Sequence, residues 1–127
     1  MSELVANDWF RVTLTDGVAR VTRLPTAPPS PSEMARMWRE LGAALRAAGA
    51  RRLLLDLRAG PPGRNDPEFE RAGEAWRRQI AADFDRVAVL VRTAVGKLHV
   101  QRLAREVGKE PAIFMSEAEA LAFLGAA

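Results

Sequence analysis

The 127-residue chain contains no cysteine and no tyrosine, a single histidine (His99), and two lysines (Lys97 and Lys109). Each scarcity removes some chemistry. Without cysteine there are no disulfides and no thiolate metal sites. Without cysteine, tyrosine or a Gly-x-Ser-x-Gly elbow, little is left from which to assemble a nucleophile, a base and an orienting group. His99 stands near an apolar edge of Val95, Leu103 and Val107, where a packed structural histidine is the plainer reading than a catalytic base. No apolar run approaches the roughly 20 residues needed to cross a bilayer. Residues 1–8 carry neither the basic start nor the apolar stretch of a signal sequence. A soluble cytoplasmic protein is expected, with one domain over residues 1–127 and a flexible segment at 1–8.

Seventeen arginines dominate the basic side, and the formal net charge is +3. Sixteen acidic residues are dispersed among them, as at Arg39-Glu40 and from Glu68 to Arg71. Mixed signs of this kind make a solvated surface rather than the gathered basic face that neutralises phosphates, so no specific nucleic-acid partner is expected. Arginine-rich, lysine-poor usage is also what a GC-rich genome produces.

Residues 9–14 and 18–24 are rich in β-branched or aromatic side chains and meet across Thr15-Asp16-Gly17, which predicts a hairpin. Prolines at 25, 28, 29 and 31 make an extended connection, and Ser30-Pro31-Ser32-Glu33 reads as an N-cap, a first-turn proline and a capping-box glutamate. Met34, Met37, Trp38, Leu41, Ala44, Leu45 and Ala48 recur at helical spacing up to Gly49. That stripe is either a helix face packed on a sheet or, less simply, a ligand-lining face. Residues 52–57 form a nearly continuous apolar strand. Asp66 and Pro67 then open a helix with Phe69, Ala72, Gly73, Trp76 and Ile80 on one face. Residues 87–91 are the next strand, Thr93 caps a helix over 94–107 closed by Gly108, and 112–115 is the last strand. Ser116 and Glu119 box a helix over 117–124 that Gly125 ends. The expected fold class is α/β: an N-terminal β-hairpin, then alternating helices and mainly parallel strands, with the helices packed on the sheet.

The strand Leu53-Leu54-Leu55-Asp56-Leu57, the capped helix at Asn65-Asp66-Pro67, the strand Val87-Ala88-Val89-Leu90-Val91 and the ending Ile113-Phe114-Met115-Ser116-Glu117-Ala118-Glu119 together resemble the STAS/SpoIIAA-like group. Its βα superhelix is shared with the SEC14-like CRAL-TRIO domains. The resemblance implies a non-catalytic regulatory or protein-interaction module with a protein partner. Its second implication is a carrier for an apolar, lipid-like or phosphorylated small molecule. In the anti-sigma-antagonist branch, the helix after the Leu-Asp-Leu strand starts with a phosphorylated serine. Here Gly63-Arg64-Asn65-Asp66-Pro67 has no hydroxyl, and Asp66 is either an ordinary N-cap or a mimic of the phosphorylated state.

No cofactor or metal is expected, and the chain is read as a non-enzyme, with a small enzyme using the strand carboxyl-end rim kept as a further alternative. Asp66, Glu68 and Glu70 lack partners at metal-ligand spacing and suit a first helical turn. Parallel sheets carry their functional loops at the strand carboxyl ends. Those loops hold Arg58, Arg64, Asn65 and Asp66, then Arg92, Thr93 and Lys97, then Ser116. The set is a candidate rim for an anion or a partner. Alternatively Arg64 or Arg92 pairs with Asp66. An apolar pocket of a few hundred Å³ would favour the carrier, and a filled interior the interaction module.

Overall fold

Asp16 and Gly17 both take positive φ, 52° and 77°. This is the two-residue turn whose twist matches a hairpin. It joins β2 (Phe10–Thr15) to β3 (Val18–Arg23), paired antiparallel from Phe10 opposite Arg23 to Thr15 opposite Val18. The computed structural model describes residues 2–26, 30–61, 66–105 and 112–125.

Residues 1–8, expected to be flexible, instead supply an edge strand, β1 (Ser2–Ala6), antiparallel to β2. It turns back through Asn7, whose Oδ1 accepts from the Trp9 and Phe10 amides at 2.9 and 3.0 Å. Glu3 pairs with Arg11 across the strands. A bulge between Glu3 and Val5 breaks the alternation, which is why the strand has little period-two signal.

After the hairpin, α1 (Pro31–Ala48) is capped by Ser30, whose hydroxyl accepts from the Glu33 amide, and ends at left-handed Gly49. Then come β4 (Arg52–Asp56), α2 (Pro67–Ala72), α3 (Glu74–Asp83), β5 (Arg86–Leu90), α4 (Ala94–Arg105), β6 (Ala112–Phe114) and α5 (Glu117–Leu124). The single helix expected from Asp66 to Ile80 is broken at Gly73. A Cβ there would lie 2.8 Å from Arg77 Nη1 and 3.4 Å from Trp38 Nε1. The proline connection at 28 and 29 and the helix end at 107 and 108 lie outside the described residues.

The sheet order is β1-β2-β3-β4-β5-β6, with β3, β4, β5 and β6 parallel. When parallel neighbours follow chain order and crossovers keep one hand, the connecting helices fall on one face. Alternate strand residues sort accordingly. Val12, Val21, Leu53, Leu55, Val87 and Val89 pack with Met37, Leu41, Leu45 and Trp76. Val18, Leu54, Ala88 and Leu90 face the other way, onto Ala120 and Leu124 of α5. Arg52 and Arg86, at the strand starts, donate to the Leu124 and Phe123 carbonyls and so hold the carboxyl end of α5. Among its described residues α4 fully buries only Ala104, although it lies on the crowded face.

Candidate functional site

The register explains what lies beneath α4. Thr22 stands beside Asp56, and Asp56 beside Leu90. One residue further, Arg23, Leu57 and Val91 therefore form a row across the carboxyl ends of three strands, on the helix-covered face. All three line a cavity of about 270 Å³. Its walls are Met34 and Trp38 of α1, Phe69 of α2, and Val100 and Leu103 of α4. A second cavity of about 240 Å³ adjoins it, sharing Trp38, Leu57, Gly73, Arg77, Val100 and Leu103 and reaching Leu55, Trp76, Ile80 and Val87. Trp38 and Trp76 stack with centroids 4.9 Å apart and planes 7° from parallel. The stripe on α1 thus divides: Met37, Leu41 and Leu45 fill the core, whereas Met34 and Trp38 are partly buried against it and line the cavity.

Arg23 is the exceptional wall residue, only 6% exposed. Strand alternation puts it on the same face as Ala19 and Val21, so its guanidinium is carried inward. Nη1 donates to the Trp9 carbonyl at 3.0 Å and to Met37 Sδ at 3.5 Å, and the group lies 5.7 Å from the Trp38 ring centre. No carboxylate pairs with it among the described residues. Burial pushes its pKa below the ordinary arginine value. Gly60 lets the loop after β4 close over the stem, since a Cβ there would meet Arg23 Cβ at 3.1 Å.

Glu70, His99 and Arg92 stand at the outer wall. Arg102 reaches from α4 to Glu70 of α2 at 2.6 Å, and its hydrogen bond holds the Glu70 carboxyl below its usual range. His99 Nδ1 is 3.4 Å from Arg102 Nη2. Burial, then the positive charge of Arg102, lowers the His99 pKa, against a smaller opposing pull from Glu70.

Arg58 also borders the cavity, but its charge is committed. It donates to Asp56 at 3.0 and 2.9 Å and to Glu117 at 3.3 Å. Arg20 bonds the same two carboxylates. Burial alone would raise the Asp56 pKa; hydrogen bonds from Arg58 and Arg20 outweigh it, and the net shift is downward. This cluster ties the start of α5 to β3 and β4, and the sequence reading missed it. The available signal was one carboxylate inside the apolar run Leu53-Leu54-Leu55-Asp56-Leu57.

Of the candidate rim, Arg58, Arg92 and Thr93 reach one cavity. Asp66 Oδ1 accepts from the Glu68 amide at 3.0 Å and caps α2. Ser116 caps α5 through the Glu119 amide, on the other face of the sheet. Thr93 Oγ1 accepts from the Gly96 amide at the start of α4. Lys97 is half-buried on α4 and does not line either cavity. Arg64 and Asn65 lie outside the described residues. Among the described residues no cluster of three His, Cys, Asp or Glu side chains is placed to hold a metal ion, and no helix is long and apolar enough to cross a membrane. Compared with known proteins, the chain matches no family model, no curated protein and no solved structure.

Proposed function

We propose that this protein is a non-catalytic binding protein of the cytoplasm that holds a small, largely apolar molecule between its sheet and α1, α3 and α4, in the manner of a carrier. The observation carrying this reading is the pair of adjoining apolar cavities, about 270 and 240 Å³, that share the Trp38, Val100 and Leu103 wall. Ligand sites are concave, mostly apolar and furnished with a few polar groups. The STAS/SEC14-like resemblance is part of the same proposal: it rests on the strand and cap residues of the sequence and includes a carrier branch.

A neutral probe tests the cavity directly. In calorimetric titration, 1-decanol should bind saturably, one per chain, and affinity should rise about fourfold per methylene from hexanol upward as each is withdrawn from water. Val100→Trp, at the wall common to both cavities, should abolish binding while retaining the wild-type circular dichroism spectrum. Absence of saturable binding to the wild type would contradict the reading.

A regulatory or protein-interaction role is the second reading, favoured by Val95 and Leu98, which are 76% and 66% exposed on α4. Three residues apart, they share a helix face that a partner protein could cover.

A further inference from the structure

A buried charge in a protein is ordinarily paired, because withdrawing an ion from water costs several kcal/mol that only a counter-charge and good hydrogen bonds recover. Arg23 departs from that rule. The Trp9 carbonyl, the Met37 sulfur and the Trp38 ring face it; none carries a negative charge. Both hydrogen bonds use Nη1, leaving the Nε and Nη2 edge of the fork without a partner among the described residues. The side chain borders the larger cavity. We infer that the ligand carries a carboxylate, which pairs with Arg23 while its apolar body occupies the space along Trp38 and Leu57; the inference rests on the proposed binding function.

Geometry and charge balance choose carboxylate within the anions. A guanidinium edge matches two carboxylate oxygens. One carboxylate matches the charge of Arg23 one for one, whereas a dianionic phosphate would need a second wall cation drawn in beside it. Of the other wall charges, Arg58 is paired with Asp56 and Glu117, and Glu70 with Arg102; Arg77, which lines both cavities, is half-buried and donates Nη2 to the Glu70 carbonyl at 2.8 Å. Arg92 is exposed at the outer wall, where water screens it. Arg23 is the most deeply buried arginine of the wall, and a ligand charge has most effect where water screens it least.

Three probes with one tail separate the possibilities: decanoate, 1-decanol and decyl phosphate, titrated calorimetrically at pH 7.5 and below their micelle-forming concentrations. Decanoate should bind at least about tenfold more tightly than 1-decanol, the difference expected of a charge-assisted bond, and more tightly than decyl phosphate. In Arg23→Met, which keeps the length of the side chain, the preference for decanoate over decanol should disappear while decanol binding persists. Arg92→Met should retain the preference. Equal binding of decanol and decanoate by the wild type would overturn the carboxylate assignment and leave the cavity reading standing, as would tighter binding of decyl phosphate. A preference lost in Arg92→Met but kept in Arg23→Met would move the charge recognition to the outer wall and also overturn it. Failure of all three probes to bind would count against the cavity reading itself. The wild-type comparison needs no variant to fold.

Discussion

Asp56 and Arg23 illustrate how the same strand alternation produces opposite outcomes for single charged residues. Asp56 faces the α5 side of the sheet, where Arg20 and Arg58 meet it; Arg23 faces the α1 and α4 side and meets no carboxylate among the described residues. The lowered Asp56 pKa has a definite consequence for stability. A carboxyl whose folded pKa is depressed binds a proton more readily in the unfolded chain, so its stabilising effect is complete above the unfolded value, ordinarily 3.8. It is lost as pH falls through the folded value. Asp56→Asn should destabilise the protein by about 2 kcal/mol at pH 7, in line with charge-assisted hydrogen bonds from a buried carboxylate to part-exposed arginines. The gap between variant and wild type should close progressively below that ordinary value, measured by urea unfolding across the acid range. A gap constant with pH would mean that the carboxylate charge is not what holds the cluster together. Neither residue was singled out from sequence, although alternation alone puts Arg23 in line with Ala19 and Val21. What alternation cannot supply is the partner, because Arg20 lies 36 residues along the chain from Asp56.

Secondary elements were the most legible level, because caps act locally. Ser30, Asp66 and Ser116 cap the helices that their spacing predicts, and Gly49 and Gly125 end two of them with left-handed backbone. The break at Gly73 was not legible from helical spacing; the crowding that favours glycine there comes from Arg77 and Trp38, the latter on another helix, which occupy the space a Cβ would need. The edge strand β1 was missed for a related reason, since its bulge removes the alternation and pairing with β2 provides the order. Gly49 offers a clean test of the local account. No neighbour lies within 4 Å of a Cβ built there, and its φ is +69°. Gly49→Ala should therefore cost about 1 kcal/mol from backbone strain alone, read from the midpoint of denaturant unfolding. An unchanged midpoint would show that the α1 terminus relaxes without penalty.

At the scale of the whole molecule, the α/β sheet with its opening hairpin and parallel strands follows from chain order and apolar patterning. The cavity does not. A cleft is defined by residues that fail to meet, here where α4 buries only Ala104 among its described residues and Trp38 and Trp76 stack on each other. Periodicity describes both a packed helix face and a cavity wall, so the Met34 and Trp38 stripe could be read either way. Only the relative positions of four elements decide between them. The most direct measurement of the central claim is methyl-resolved NMR of the protein titrated with 1-decanol. The account predicts shifts concentrated at Leu57, Val91, Val100 and Leu103, which line the larger cavity, with Val95, Leu98 and Met115 on the outer surface unmoved. Shifts confined to Val95, Leu98 and Met115, with the cavity methyls silent, would contradict it.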